Sequence, residues 1–118
     1  MLKLSEVKNE LKVVNDQFWT PTNTKDLSLA MKDVIEKIEN YRWKTLHLSN
    51  ETIKNGVTWY DFAKEVFSIK GIDINLISCL SSEFITKAKR PTYSKLINNS
   101  DIKLREWKEW LCDYLNNL

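Results

Sequence analysis

Glycine is the residue type that most restricts this chain, because only Gly56 and Gly71 occur in 118 residues. A loop that cradles a phosphate group needs several glycines, so that backbone N–H groups can approach the phosphate. Two isolated glycines cannot form such a loop, so the sequence predicts neither a P-loop nor a dinucleotide-binding motif within these residues. Chemistry that depends on a bound nucleotide cofactor therefore needs more protein than this.

The charge balance excludes further classes of function. With 18 basic and 16 acidic residues the formal net charge is +2, whereas a nucleic-acid-binding domain has a clear basic excess or a basic stripe. We therefore expect no nucleic-acid partner. The apolar runs are too short for a transmembrane helix and no signal peptide is recognised, so we also expect no membrane partner and a cytoplasmic location.

The cysteines and the histidine do not predict a metal site. Cys79 and Cys112 are far apart and form no CxxC pattern, and His47 stands alone in an apolar run. We interpret both cysteines as reduced core thiols and His47 as a core or sheet-edge residue.

Hydrophobic periodicity predicts one α/β segment over residues 1–118, with about three short strands and three helices. In chain order we expect a strand at 10–15, a helix from a cap at Asn23 or Thr24 to Tyr41, a strand at 43–48, a helix from a capping box at Thr58 to Gly71, a strand at 72–80, a polar loop at 81–99 and a helix from Asp101. The first of these helices carries an apolar stripe of Leu27, Met31, Val34, Ile35, Ile38 and Tyr41. The last helix carries Leu104, Trp107, Leu111, Tyr114, Leu115 and Leu118, with Trp110 beside them. Three short strands cover little of this apolar surface, so we expect a missing partner layer.

Tyr60 and Lys64 match a Tyr-x-x-x-Lys pattern, in which a lysine lowers the pKa of a proton-transferring tyrosine on the same helix face. Here no Gly-rich loop lies upstream to place a nicotinamide beside the pair. We therefore interpret both as ordinary helix-surface residues, and we predict no catalytic residue in this chain.

Four other stretches occur in the order and at the intervals typical of one enzyme family. They are residues 11–22, residues 47–50, residues 59–63, and the group Ala88, Arg90, Pro91, Ser94 and Leu96. Over nearly the whole chain they resemble the C-terminal part of dTDP-4-dehydrorhamnose reductase, an extended short-chain dehydrogenase/reductase. Two positions differ: Trp19 stands where the family usually has Gly, and Ile97 stands where Asp is common. We expect the substrate-side loop to differ accordingly, because a residue with a Cβ rarely takes positive φ.

The resemblance implies that this chain is the substrate-side portion of such a reductase, without its Rossmann half. In the family that half binds NADPH, or NADH in some members, and the enzyme reduces the C4 carbonyl of dTDP-4-dehydro-L-rhamnose to give dTDP-L-rhamnose for polysaccharide. By this resemblance Gln17, Pro21, Thr22 and Arg90 border the sugar-nucleotide pocket. No residue of this chain would bind the cofactor, and the chain alone would be inactive. Its partners would be a dTDP-sugar and the missing half, or a second copy held through exposed apolar surface.

Other interpretations stay open. Lys87, Lys89 and Arg90 are equally compatible with a solvated basic loop. The chain also matches a non-catalytic relative, such as the regulatory subunit of methionine adenosyltransferase, or a stand-alone module that binds a sugar nucleotide or a protein. A stand-alone module predicts a monomer with a covered sheet, whereas a portion of a reductase predicts exposed apolar surface and self-association.

Overall fold

The structure, a computed structural model, describes residues 1–53, 55–84 and 86–118. Its elements, in chain order, are α1 (Leu2–Ser5), β1 (Glu10–Val14), β2 (Phe18–Trp19), α2 (Thr24–Glu36), α3 (Ile38–Tyr41), β3 (Val57–Thr58), α4 (Trp59–Lys70), β4 (Asn75–Cys79), a 3-10 turn (Ser81–Glu83) and α5 (Trp107–Asn116). The α/β class is confirmed. The strands of the described residues form two pairs, β1 with β4 and β2 with β3.

Strands β1 and β4 pair in parallel along five residues each. Leu11 lies opposite Leu76 and Val14 lies opposite Cys79. Helix α4 covers this pair, and its Ala63 packs against Leu11 in a buried cluster. Within the described residues neither strand has a second parallel neighbour, although parallel sheets are normally larger and buried on both faces.

Helix α4 begins and ends where the sequence predicts. The N–H of Asp61 donates to the Thr58 hydroxyl at 3.0 Å, and that hydroxyl donates to the Asp61 carboxylate at 2.7 Å. At the other end Gly71 takes φ 62°, the left-handed conformation that favours glycine at a helix C-terminus. The capping box and the glycine cap are both confirmed.

The main core lies between α4 and α5. It consists of Val57, Val66, Trp107, Trp110, Leu111 and Leu115. Each large side chain buried here stabilises the fold by roughly 1.5–3 kcal/mol relative to an exposed one. The predicted face of α5 needs correction, because Trp110 is buried whereas Tyr114 and Leu118 are exposed.

The predicted start of the last helix at Asp101 is wrong. Helix α5 begins at Trp107, after Glu106, whose carboxylate accepts the N–H of Lys108 at 2.8 Å. The Asp101 carboxylate instead accepts a hydrogen bond from the Tyr41 hydroxyl, so it does not cap a helix.

The residues before α5 form an extended segment instead. Ile102 and Leu104 are buried on it, in a second cluster with Ala30 and Tyr41. Glu51 bonds to this segment, since its N–H donates to the Arg105 carbonyl at 3.1 Å. Leu104 therefore contributes to the α2 side of the core and not to α5.

The predicted strand at 43–48 is absent among the described residues. Trp43 takes φ 64°, which no strand accommodates, and its side chain is 95% exposed. The side-chain amide of Asn99 bonds to the backbone groups that a neighbouring strand would otherwise pair with. Its oxygen accepts the His47 N–H at 2.7 Å, and its nitrogen donates to the Thr45 carbonyl at 3.1 Å. His47 is exposed and lies in no strand, so its assignment to a core or sheet edge is also wrong.

The predicted helix from residue 24 to Tyr41 is two helices. Of the two predicted cap residues the structure selects Asn23, whose side chain accepts from the N–H groups of Lys25 and Asp26. The chain leaves helical geometry at Lys37, between α2 and α3. The predicted apolar stripe is only partly covered, with Met31, Ile35 and Ile38 exposed.

The two cysteines differ in their surroundings. Both are free thiols, but only Cys79 is buried, and Cys112 is exposed. Burial raises the pKa of the Cys79 thiol. The prediction of a core thiol is confirmed for Cys79 and wrong for Cys112.

Candidate functional site

A cavity of about 870 Å³ runs along β1 and reaches the ends of β1 and β4. It is lined by Met1, Leu4, Leu11, Lys12, Val13, Val14, Gln17, Trp59, Ser81, Ser82, Phe84, Thr86, Lys89, Arg90 and Thr92. In open α/β sheets ligands bind in the crevice outside the carboxyl ends of parallel strands. Both the position and the volume are those of a small-molecule site.

Asp16 fixes the geometry where the two parallel strands end. Its carboxylate accepts the N–H of Ser81 at 3.0 Å and the Ser81 hydroxyl at 2.8 Å. The N–H of Asn15 also donates to the Cys79 carbonyl at 3.0 Å. These bonds hold the two strand ends together, so that Gln17 and Ser81 lie beside the same cavity.

The basic loop is held at the cavity by the segment that follows it. The Phe18 N–H donates to the Thr92 carbonyl at 2.7 Å, and the Ser94 N–H donates to the Phe18 carbonyl at 2.8 Å. The rings of Phe18 and Tyr93 are stacked with centroids 5.1 Å apart. These bonds hold the segment that directly follows Arg90, which lines the cavity.

The charge of the cavity lining is positive. Lys12, Lys89 and Arg90 line it, and among the described lining residues there is no Asp or Glu. Lys12 forms an exposed ion pair with Glu83 at 3.6 Å, whereas Lys89 and Arg90 form no ion pair within the described ranges. Such a lining attracts an anion, and a guanidinium can bind a phosphate group through two parallel hydrogen bonds.

The structure brings together two of the four predicted substrate-binding residues. Gln17 and Arg90 both line the cavity. Pro21 is fully buried, and the hydroxyl of half-buried Thr22 donates to the Thr20 carbonyl at 3.3 Å. Neither of these two lines the cavity, and a substrate contact for any of the four stays a prediction.

Trp59 is a lining residue that sequence reasoning missed. The sequence motifs include Trp59 only as part of a helix motif, yet its half-buried side chain lines the cavity. Its ring is stacked on Trp19, with centroids 4.2 Å apart. The available signal was a large aromatic residue directly after a capping threonine, at a helix start that was already predicted.

The Tyr60 and Lys64 pair lies outside this cavity. Lys64 is exposed on α4, as expected, and Tyr60 is half-buried. In the described ranges no group of three or more His, Cys, Asp or Glu side chains is placed to hold a metal ion. Among the helices described, none combines the length and the apolar character needed to cross a membrane.

Comparison with known proteins identifies the family. The family model for the RmlD substrate binding domain matches residues 1–118. The spore coat polysaccharide biosynthesis protein SpsK of Bacillus subtilis (strain 168) is 38% identical over 119 residues, which cover 98% of this chain and 40% of that protein.

Solved structures agree with this result. A dTDP-4-dehydrorhamnose reductase from Clostridium acetobutylicum ATCC 824 is similar with a TM-score of 0.86 at 40% identity, over 98% of this chain and 41% of that one. A dTDP-4-dehydrorhamnose reductase from Bacillus anthracis str. Ames, in complex with NADP, gives a TM-score of 0.81 at 27% identity, over 98% of this chain and 40% of that one.

The chain thus spans about 40% of the length of the relatives that it matches. The resemblance that the sequence motifs predicted is confirmed. Because the family model extends over every residue from 1 to 118, this chain belongs to the RmlD substrate binding domain family.

Proposed function

We propose that this chain is the substrate-side part of a reductase that converts dTDP-4-dehydro-L-rhamnose to dTDP-L-rhamnose. In this proposal the cavity beside β1 holds the dTDP-sugar. The proposal is supported by the reductases named among its similar structures. The single observation that carries it is the positive cavity at the ends of two parallel strands.

The lining residues have the chemistry that a nucleoside diphosphate sugar requires. Arg90 and Lys89 would neutralise the diphosphate, and the Gln17 amide can both donate to and accept from sugar hydroxyls. Pro21 and Thr22 enter the proposal as support for the loop that carries Gln17, since Pro21 is buried and Thr22 bonds within that loop. The chain would bind and orient the substrate.

The residues of this chain do not fit the nicotinamide cofactor. Gly56 lies in a turn and Gly71 ends a helix, so neither belongs to a loop that cradles phosphate. The NADPH or NADH that such a reductase uses would bind to other parts of the protein. We accordingly expect this chain alone to show no turnover.

A further protein layer is part of the same proposal. The parallel pair of β1 and β4 has outer edges that no described strand covers, and unpaired strand edges need a partner or a cover. Exposed apolar side chains such as Val7 and Leu80 flank this pair. The partner would be the Rossmann half of the reductase.

Binding of dTDP to variants of the basic loop tests the proposal. Removing the Arg90 guanidinium by Arg90→Ala should weaken dTDP binding about tenfold or more, because a hydrogen bond to a charged group contributes about 1.5–3 kcal/mol. Lys64→Ala removes an exposed cation outside the cavity and should leave the affinity unchanged. Calorimetric titration measures both, and equal affinities for wild type and Arg90→Ala would contradict the proposal.

The alternative of a regulatory subunit of methionine adenosyltransferase is not favoured, because the similar solved structures are named as reductases. Co-purification of the chain with an adenosyltransferase would revive it. The cytoplasmic location expected from the sequence stays a prediction, and cell fractionation with an antibody to the chain tests it.

A further inference from the structure

A series of aromatic rings in contact with one another connects the cavity wall to the core. Trp59 lies at the cavity, and Trp19 stacks on it at 4.2 Å with an interplanar angle of 24°. Trp19 also contacts Phe62 at 5.5 Å, and Phe62 contacts Trp107 at 5.8 Å. Trp107 is 3% exposed, so this series of rings begins in the core and ends at the cavity.

The pairing of β2 with β3 sets the two indoles against each other. Trp19 lies opposite Val57 in this antiparallel pair, and Trp59 follows Val57 by two positions. Trp59 is the first residue of α4, directly after β3 ends at Thr58. The pairing therefore brings Trp19 close to the start of α4, where its ring stacks on that of Trp59.

The position of Trp59 leaves part of its ring available to a ligand in the cavity. A half-buried indole can present apolar ring surface to a ligand, and its cavity also holds Lys89 and Arg90. Anion-binding side chains and an aromatic surface in one cavity suit a ligand that has both a phosphate group and a ring able to pack on an indole. A sugar nucleotide has two such rings, the planar base and the pyranose, which packs through its C–H face.

We propose that Trp59 is the surface on which a ring of the bound sugar nucleotide packs, and that Trp19 is the positioning residue that holds Trp59 in place. This inference rests on the proposed function and extends it by assigning the ring contact. The shared chemistry is a ring face packed against the indole, and the choice of ligand in the test separates base from sugar.

Calorimetric titration with dTDP and with dTDP-L-rhamnose tests the ring contact. Trp59→Leu should weaken binding of at least one of them about tenfold, because the variant lacks the aromatic surface on which the ligand ring packs. A loss with both ligands assigns the base, and a loss with dTDP-L-rhamnose alone assigns the sugar. Trp43→Leu is the matched control, because that indole is 95% exposed and lies outside the cavity.

The positioning role of Trp19 is tested by comparing a disruptive substitution with one that keeps an aromatic ring. Trp19→Leu should remove the circular-dichroism couplet of two stacked indoles and weaken ligand binding severalfold, whereas Trp19→Phe keeps a ring against Trp59 and should restore the affinity. A Trp19→Leu variant that loses the couplet but binds both ligands as tightly as wild type would overturn the positioning role.

A measurement on the wild-type chain keeps the proposal testable if Trp59→Leu fails to fold. In a two-dimensional NMR spectrum of the indole N–H groups, saturating dTDP or dTDP-L-rhamnose should shift the Trp59 signal and leave the Trp43 signal in place. A Trp59 signal that does not move with either ligand overturns the ring contact. If Arg90→Ala weakens binding and Trp59→Leu does not, only this inference fails; if wild type binds neither ligand, the proposed function fails with it.

Discussion

Gly56 meets two constraints that other residues cannot satisfy together. Its φ of 89° lies in the region that side chains with a Cβ rarely adopt. A Cβ at this position would also come within 2.9 Å of the Trp19 carbonyl oxygen, a backbone atom of β2 that cannot easily move. Gly71 has only the first constraint, because no atom lies within 4 Å of its Cβ position.

We expect Gly56→Ala to lower the free energy of unfolding more than Gly71→Ala does. The strain at Gly71 should cost about 1 kcal/mol, whereas strain and clash together at Gly56 should cost roughly 2–3 kcal/mol. Urea unfolding of the two variants, followed by circular dichroism, measures the difference. Equal losses would mean that the turn at Gly56 shifts away from β2 at little cost.

Local and long-range contacts fix different elements of this fold. The start of α4 depends on Thr58 and Asp61, which are three residues apart. The start of α2 is also held from a distance, since the Arg105 guanidinium donates to both oxygens of Asp26 at 3.1 and 3.0 Å. Arg105 donates to Asp113 of α5 as well, so this one side chain connects two helices.

Thr58→Ala should destabilise the chain by about 1–2 kcal/mol, because it removes the capping oxygen of α4. Thr58 is only 2% exposed, so water cannot easily replace the lost hydrogen bonds. Thr58→Ser keeps the hydroxyl and should retain most of the stability. Urea midpoints of the three proteins measure this, and a Ser variant as unstable as the Ala variant would show that the methyl group matters instead.

At the scale of the whole molecule, the Tyr41–Asp101 hydrogen bond joins the end of α3 to the extended segment before α5. It raises the pKa of Tyr41 to about 12 and lowers the pKa of Asp101. Because the Asp101 pKa is lower in the folded state, its contribution is present above the ordinary carboxyl pKa and is lost as pH falls through the folded value. Because the Tyr41 pKa is raised, its contribution is present below the ordinary tyrosine pKa and is lost as pH rises towards about 12.

Tyr41→Phe should therefore reduce the pH dependence of unfolding at both ends. The variant lacks the hydroxyl that donates to Asp101, so it should lose less stability than wild type on acidification and on strong alkalinisation. Urea midpoints across the pH range measure the loss of stability at acidic pH and at alkaline pH. Parallel profiles for the two proteins would show that the bond contributes nothing to the pH dependence.

Exposed apolar side chains of α2 and α3 should promote self-association of this chain at high concentration. Met31 and Ile35, four residues apart on α2, are 53% and 68% exposed, and Ile38, the first residue of α3, is 49% exposed. Ile35→Ser should shift the association to higher concentration, whereas Lys32→Gln, an exposed polar change on α2, should not. Sedimentation velocity over a concentration series measures this, and a wild type that stays monomeric throughout would contradict it.

The sequence by itself determined the features that depend on neighbours a few residues away. The Asn23 cap, the Thr58–Asp61 box and the Gly71 cap were predictable because each is a contact within one helical turn. The α/β class and the family motifs were also readable, since periodicity and spacing lie along the chain itself.

Only the tertiary structure decided the features that join distant parts of the chain. The side-chain amide of Asn99 bonds to the backbone of Thr45 and His47 in place of a neighbouring strand, and no pattern near these residues encodes that distant partner. The cavity likewise depends on Phe18 bonding to Thr92, which holds the segment after Arg90 so that Arg90 and Gln17 line the same cavity. The physical reason is that local pattern specifies backbone preference and apolar faces, whereas the pairing of distant hydrogen-bonding groups is fixed only when the whole chain folds.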